Sequence, residues 1–309
     1  MFYFEFRYKY FVMLYPKQLK SVVSLLLLLF TFFAFSQTTS TGTGPWNTGS
    51  TWVGGVPPTA GADVVIASGD AVTIDVNTDV NSLTIEAGAS LIVADATGPF
   101  TMNISGDLAN QGTLTFLSGA GTGEVNVTFD NTTTIVISGT GTTTFNDVTI
   151  DGTGNVINVN TFTTSGNFSI GPSNSNISFS SNNIGLTFLG DFTLANAASF
   201  STSGSTTSFD GTSAQLIDLG GGTAEFNNIN FDGNSLKTIN GNITTTGGTV
   251  QLLGTTSIAD QAPGNTYTLF NLEVNSSNAL NLAGSTLIFL GGEIRFGDNV
   301  GVDGTVNIG

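Results

Sequence analysis

Short apolar–polar–apolar triplets recur along most of the chain. Six of them follow one another at intervals near ten, at 72–74 (VTI), 83–85 (LTI), 91–93 (LIV), 102–104 (MNI), 114–116 (LTF) and 125–127 (VNV). An alternation of period two places every second side chain on one buried face of a strand, and pairs such as Asp151-Gly152 supply the turns. No window after Gln37 repeats apolar residues at the three- and four-residue spacing of a helix. The pattern predicts an all-β protein.

A longer repeat indicates how these strands are arranged. Residues 145–152 (FNDVTIDG) recur further along the chain as 226–233 (FNNINFDG), and a shorter echo begins at Phe270. Gly followed by Asp or Asn recurs at Gly106, Gly166, Gly190 and Gly241. Degenerate repeats of short strands favour stacked units, so we predict a parallel β-solenoid in which each coil buries its apolar positions against its neighbours. Tandem β-sandwiches, which also alternate strands and turns at this spacing, are the alternative.

The solenoid interpretation assigns roles to the commonest residues. A coil of roughly 22 residues gives about 12 coils over the exported part of the chain. Stacked Asn, Thr and Ser side chains are expected to hydrogen-bond from coil to coil. Phenylalanines are expected to fill the interior, among them Phe145, Phe168, Phe179, Phe188, Phe209 and Phe226.

The N-terminal segment is typical of an export signal. Lys17 and Lys20 precede an apolar stretch, residues 21–35, which runs into an Ala-Phe-Ser pattern. This predicts a signal peptide over residues 1–36 with cleavage after Ser36. A membrane-spanning helix needs about 20 apolar residues, more than this stretch has, so no stable membrane span is expected after cleavage.

Two further expectations concern the limits of the chain. Met13 would start a signal peptide of ordinary length, so either Met1 or Met13 is the true start. After the signal peptide, residues 37–80 are expected to form an N-terminal cap segment and residues 81–309 the β-helix repeats, which would continue beyond Gly309 if the given chain is a fragment.

The composition then excludes several kinds of chemistry. The chain has no Cys and no His, so it can form neither a disulfide framework nor a thiolate, imidazole or Ser-His site. The formal net charge is −16, from 22 acidic and 6 basic residues. Loss of residues 1–36 removes one acidic and four basic residues, which leaves 21 acidic residues against Lys237 and Arg295, a net charge of −19. A chain this acidic is not expected to bind nucleic acid.

Three segments near the start of the exported chain carry a family resemblance. Residues 46–57 (WNTGSTWVGGVP), followed by 61–66 (GADVVI) and 72–75 (VTID), resemble the N-terminal module of exported Bacteroidota (flavobacterial) surface proteins and are similar to the start of G8-type β-helical domains. The resemblance implies a single-stranded right-handed β-helix, a secreted or outer-surface location, and adhesion or gliding. It also implies a C-terminal sorting domain for type IX secretion. Because residues 302–309 are still strand-like, either the chain is a fragment or this export route does not apply.

Two tryptophans are the first candidate site. Exposed Trp46 and Trp52 would stack on a sugar ring, as aromatic side chains do in carbohydrate-binding modules. A solenoid also needs a plug on its open end, and terminal repeats are expected to be atypical. Capping is therefore the favoured role for this pair.

The acidic residues are the second candidate site. A glycosidase needs two carboxylates at a defined separation, and the nearest approaches to a cluster are Asp63, Asp75 and Asp79, and Asp298 with Asp303. Neither group matches a motif of β-helical polysaccharide hydrolases or lyases. Residues 298–303 would offer oxygen ligands to calcium, but a solvated turn is the favoured interpretation. No catalytic, cofactor-binding or metal-binding residue is predicted.

These observations predict an exported structural or adhesion protein without enzymatic activity. Its expected partners are glycans or cell-surface proteins, and the sequence does not predict an oligomeric state. A polysaccharide-processing enzyme (a lyase or a glycoside hydrolase) or a carbohydrate-binding module on a β-helix is the alternative.

Overall fold

The structure is a computed structural model. It describes residues 37–94, 98–117, 123–158, 160–171, 177–179, 184–195, 198–202, 204–220, 222–261, 263–275, 278–282, 284–296 and 305–307. The predicted signal peptide, residues 1–36, lies outside the described residues, as do Asp298 and Asp303.

Nearly all regular structure in these ranges is β-strand, because each segment alternates buried and exposed side chains with period two. A single 3-10 turn, Gly49–Thr51, is the one helical element among the described residues. In chain order the strands are β1 (Gln37–Thr39), β2 (Gly44–Pro45), β3 (Ala62–Ile66), β4 (Ala71–Ile74), β5 (Thr78–Ile85), β6 (Ser90–Val93), β7 (Phe100–Ile104), β8 (Leu108–Asn110), β9 (Thr113–Thr115), β10 (Val125–Phe129), β11 (Ile135–Ser138), β12 (Thr142–Phe145), β13 (Val148–Ile150), β14 (Val156–Asn158), β15 (Phe162–Thr164), β16 (Phe168–Ile170), β17 (Ile177–Phe179), β18 (Gly185–Phe188), β19 (Phe192–Leu194), β20 (Ser199–Thr202), β21 (Thr206–Phe209), β22 (Gln215–Asp218), β23 (Thr223–Phe226), β24 (Asn228–Phe231), β25 (Leu236–Asn240), β26 (Ile243–Thr245), β27 (Thr249–Leu252), β28 (Ser257–Asp260), β29 (Thr266–Leu269), β30 (Asn271–Val274), β31 (Ala279–Asn281), β32 (Thr286–Phe289), β33 (Ile294–Phe296) and β34 (Thr305–Asn307).

The strands form three parallel ladders, each taking one strand from every coil. The first ladder runs through β7, β10, β13, β16, β19, β22, β25, β28, β31 and β34, and the second through β8, β11, β14, β17, β20, β23, β26, β29 and β32. The third ladder is a separate sheet that runs from β2 and β4 through β6, β9, β12, β15, β18, β21, β24, β27, β30 and β33. The first two ladders join at β5, which pairs with β7 through Thr78–Val80 and with β8 through Leu83–Ile85. The prediction of a parallel β-solenoid is confirmed, and tandem sandwiches are excluded for this part of the chain.

The predicted coil length agrees with the structure over the later coils. One inward position per coil stacks in the third ladder, through Leu186, Thr207, Ile229, Val250 and Leu272. Earlier coils are less regular, and the coil that separates Leu114 from its partner Thr143 is longer. Within the described residues the third ladder has 12 strands, one from each coil, and this number agrees with the coils expected from the sequence.

The interior of the solenoid is one continuous apolar core. Leu, Ile, Val and Phe side chains from all three ladders belong to the same buried cluster. Rings from successive coils touch, for example Phe168 and Phe192 with centroids 5.6 Å apart and Phe209 and Phe231 also 5.6 Å apart. The predicted interior positions Phe145, Phe168, Phe188, Phe209 and Phe226 are all buried. The side chain of Phe179 lies outside the described part of the structure.

Polar side chains satisfy the backbone at the corners between ladders. The carboxylate of Asp147 accepts from the N–H of Asn167 (2.6 Å), the Asn167 side chain accepts from the N–H of Asp191 (2.9 Å), and Asp191 accepts from the N–H of Leu216 (2.8 Å). A Cβ atom at Gly190, beside this column, would collide with the carbonyl oxygen of Gly166. The predicted coil-to-coil hydrogen bonding is therefore confirmed.

The two copies of the long sequence repeat, residues 145–152 and 226–233, do not occupy equivalent positions in two coils. Phe145 ends β12 of the third ladder, whereas its counterpart Phe226 ends β23 of the second. The repeat is thus not a whole number of coils. Each of the three ladders is built from the same unit, a strand followed by a corner. The motif therefore recurs in whichever ladder the chain has reached. The shorter echo that begins at Phe270 is not equivalent to the segment that begins at Phe226 either. Asn271 stacks on Thr249, and Thr249 stacks on Asn228. Phe270 is 37% exposed, whereas Phe226 is fully buried.

The first coils use the segment predicted as a cap. Strands β1 to β4 already pair in parallel with later coils, and β5 continues across residue 80. The bounds 37–80 and 81–309 remain predictions.

Truncation of these two phenylalanines tests the assignment of inward and outward positions. We expect Phe226→Ala to lower the free energy of unfolding by about 3–5 kcal/mol, because it leaves a cavity against Phe200 and Phe209. Phe270→Ala should cost about 1 kcal/mol or less, since no buried ring is removed. Denaturant unfolding of both variants measures the difference, and equal losses would contradict the fold.

Candidate functional site

The outward side of the third ladder carries an uncharged array of hydroxyl side chains over five coils. We call this array the threonine face. Its ten positions are Thr113, Thr115, Thr142, Thr144, Thr161, Thr163, Gly185, Thr187, Thr206 and Ser208, on or next to β9, β12, β15, β18 and β21. Nine of the ten bear a hydroxyl group, and none bears a charge.

The strand register arranges these positions in two columns. One column stacks Thr115, Thr144, Thr163, Thr187 and Ser208, and each step is a parallel pair. The other stacks Thr113 on Thr142 and Gly185 on Thr206, with Thr161 between, where its hydroxyl accepts from the N–H of Gly185 (3.1 Å). Neighbouring coils lie about 4.8 Å apart, and residues two apart on a strand about 6.6 Å apart.

The position between each pair of hydroxyl residues points inward and anchors the face. Leu114, Phe162 and Leu186 are buried in the core. Thr143 is also inward, and its hydroxyl accepts from the side-chain amides of Asn110 (2.9 Å) and Asn160 (3.1 Å). The backbone beneath the face is thereby held from inside.

A shallow depression of about 410 Å³ lies on this face. Thr142, Thr144, Thr161 and Thr163 contribute to its lining, together with Ile184. The two hydroxyl columns therefore border a space that can hold water.

Charge follows the threonine face in the last coils of the third ladder. The outward positions after Ser208 become mostly amides, and then include Glu273, Glu293 and Arg295. Arg295 is exposed and pairs with Glu293 (2.5 Å), and this hydrogen bond raises the pKa of the arginine. Charge is therefore present in the third ladder only beyond the threonine face, within the described residues of the later coils.

The first ladder differs from the third in the same coils. Thr128, Thr149 and Ser169 stack in one outward column, but the described positions beside it include Asp147 and Asp191. The absence of charge distinguishes the threonine face from the first ladder, and its hydroxyl groups distinguish it from the second ladder, where Val136 and Ile157 point outward.

Sequence reasoning missed this face, although a signal for it was present. Thr-x-Thr triplets at 113–115, 142–144 and 161–163 precede or coincide with third-ladder strands. Without the coil register, such triplets do not show that their hydroxyls stack.

The two tryptophans are interior residues. Trp46 and Trp52 are 2% and 1% exposed, with ring centroids 5.0 Å apart in an edge-to-face arrangement. The indole N–H of Trp52 donates to the carbonyl oxygen of Trp46 (2.7 Å). Neither ring presents a face to a sugar, so stacking on a ligand is excluded in this arrangement, while the capping role remains a prediction.

The acidic candidates serve local structure. Asp63 accepts from the side chains of Asn81 (2.7 Å) and Ser82 (2.6 Å), and Asp75 accepts from the N–H of Asn47 (3.0 Å). Asp79 borders a separate groove of about 330 Å³. Within the described ranges, no three acidic side chains converge as metal ligands would.

Lys237 is buried at the corner between the third and first ladders. Its ammonium donates to the carbonyl oxygen of Gly211 (2.8 Å), to Oε1 of Gln215 (3.0 Å) and to the hydroxyl of Ser235 (3.0 Å). Burial lowers the pKa of Lys237 to about 8, although the nearby Asp210 and Asp232 favour the charged form. Lys237 is thus buried and Arg295 is paired with Glu293, so neither basic residue of the range 37–309 is both exposed and unpaired.

Comparisons with known proteins identify one region. The sequence model of the G8 domain matches residues 51–161, about a third of the chain, from the 3-10 turn to the coil that contains β14. This confirms the expected G8-like N-terminal segment, while the likeness to Bacteroidota surface proteins stays a prediction. Neither curated proteins nor solved structures gave a match. Within the described ranges, no helix has the length and apolar character needed to cross a membrane.

The lowered pKa of Lys237 predicts how stability depends on pH. Between about pH 8 and 10.5 the unfolded chain binds the lysine proton more tightly than the folded chain, so the free energy of unfolding should rise with pH. The whole rise across this range corresponds to about 2–3 kcal/mol.

Denaturant unfolding at pH 7, 8, 9 and 10 measures this rise. In Lys237→Met the rise should disappear, because the titrating group is gone. An equal rise in the variant would contradict the assignment.

Proposed function

We propose that this protein is an exported, non-catalytic β-solenoid scaffold that adheres to an uncharged solid surface through its threonine face. One observation carries the proposal: an extended uncharged face on a chain whose exported part has a net charge of −19. The G8 region and the solenoid fold are compatible with an extracellular scaffold.

The physical argument rests on the cost of removing groups from water. A charged side chain loses far more hydration free energy at a contact than a hydroxyl that can exchange one hydrogen bond for another. The threonine face can therefore approach an uncharged solid at low cost, whereas the acidic column through Asp147 and Asp191 cannot. Many equivalent contacts on a rigid sheet add up without ordering flexible loops.

The absence of catalysis is part of the proposal and is supported by the acidic candidates. Asp63 and Asp75 already accept hydrogen bonds from neighbouring coils. The glycan and cell-surface-protein partners expected from the sequence, and secretion by the type IX route, also stay predictions.

Export is tested by the N-terminus of the protein outside the cell. We expect the extracellular or surface-bound form to begin at Gln37. Leu27→Arg, which places a charge in the apolar stretch, should hold the chain inside the cell, while Leu27→Val should not. An extracellular form that retains residues 1–36, or export of Leu27→Arg, would count against this part of the proposal.

Adhesion is tested by sedimentation of the purified protein with a panel of uncharged crystalline solids. Binding to at least one solid should persist at high salt, because the contact is not ionic and salt screens repulsion between the acidic chains. Thr163→Lys should abolish it, whereas Thr244→Lys, on the outward side of the second ladder, should not. No binding to any solid, or equal effects of both substitutions, would refute the proposal.

A further inference from the structure

We propose that the surface bound by the threonine face is crystalline water, so that the protein is an ice-binding protein. This inference rests on the proposed function, because it names the solid that the face contacts. Three properties of the face favour ice: its spacing in two dimensions, the chemistry of threonine, and the absence of charge.

The first property is the two-dimensional spacing of the hydroxyl groups. Coils repeat at about 4.8 Å along each column, and the two columns are about 6.6 Å apart. The coil spacing lies close to the shorter repeat length of the prism plane of hexagonal ice, and the column spacing is somewhat shorter than the longer repeat length. The register from Thr115 through Thr144, Thr163 and Thr187 is unbroken, so the match extends over successive coils.

The second property is the chemistry of the threonine side chain. Its hydroxyl both donates and accepts, as a lattice water does, and its methyl group favours an ordered water cage over apolar surface. Because the side chain is β-branched, its χ1 angle is restricted before binding, and little rotamer entropy remains to be lost. The depression between Thr142, Thr144, Thr161 and Thr163 gives these waters a place to order.

The third property is the absence of charge over five coils. An ionised side chain orients water around itself in a geometry that the ice lattice cannot accommodate. The ten positions of the threonine face contain none, whereas Asp147 and Asp191 lie beside the outward column of the first ladder.

The observations favour ice over a polysaccharide for one specific reason. Carbohydrate sites commonly place an aromatic ring against the sugar, and the outward positions of the threonine face carry only threonine, serine and glycine. The two tryptophans that could have served are buried in the core. Binding to a crystalline polysaccharide instead of ice is therefore one of the outcomes that the test distinguishes.

The test is ice shaping and thermal hysteresis by the purified protein in a nanolitre osmometer. The wild-type protein should shape growing ice crystals into facets and hold a gap between melting and freezing temperatures. Thr163→Tyr should lose both effects, because a ring at the centre of the face keeps ice away from the neighbouring hydroxyl groups while tyrosine still suits an outward strand position. Thr144→Tyr, one coil away, should repeat the loss, and Thr244→Tyr on the second ladder is the matched control that should keep wild-type activity.

The outcomes separate the two proposals. No ice shaping by the wild-type protein, or unchanged activity in both Thr163→Tyr and Thr144→Tyr with wild-type unfolding curves, would overturn the inference. If ice is not bound but cellulose or chitin is, and Thr163→Tyr removes that binding, the proposed adhesion stands and the ligand is a polysaccharide. If no solid is bound, both proposals fail.

Discussion

Parallel backbone hydrogen bonding between successive coils, in register, is the constraint on which the rest of the structure depends. Because each strand pairs with the equivalent strand one coil later, every position in a coil lies on its equivalent. Inward positions then form continuous columns such as Leu186, Thr207 and Ile229. The same rule acts on the outside, where it turns isolated Thr-x-Thr triplets into an ordered array.

The register also explains how this chain is stabilised without cysteine. Each coil alone is too short to bury its apolar side chains, but stacked coils share one core. The polar groups at the corners are satisfied by the neighbouring coil, as in the column of Asp147, Asn167 and Asp191. Even Lys237 is accommodated inside the tube, since Gln215 in the preceding coil and Gly211 accept its hydrogen bonds.

Much of the fold was predictable because the strands are determined by the pattern of apolar and polar residues within each short segment. The period-two alternation predicts the strands, and the core phenylalanines follow from it. The relation between distant segments is not local, which is why 145–152 and 226–233 lie on different faces despite their similar sequences. The threonine face escaped prediction for the same reason: a one-residue difference in coil length would move a threonine to another position, and only the register fixes which hydroxyls are neighbours. The burial of Trp46 and Trp52 depends likewise on tertiary packing.

Disulfide formation between introduced cysteines tests the register most directly, because the natural chain contains no cysteine. Thr163 and Thr187 are paired in adjacent coils, about 4.8 Å apart, whereas Thr163 and Ser208 are two coils apart, about 9.6 Å. A disulfide needs Cα atoms closer than about 7 Å. Mild oxidation followed by intact-mass measurement should therefore show an intramolecular disulfide in the Thr163→Cys, Thr187→Cys variant and free thiols in the Thr163→Cys, Ser208→Cys variant. The reverse result would contradict the stacking of coils described here.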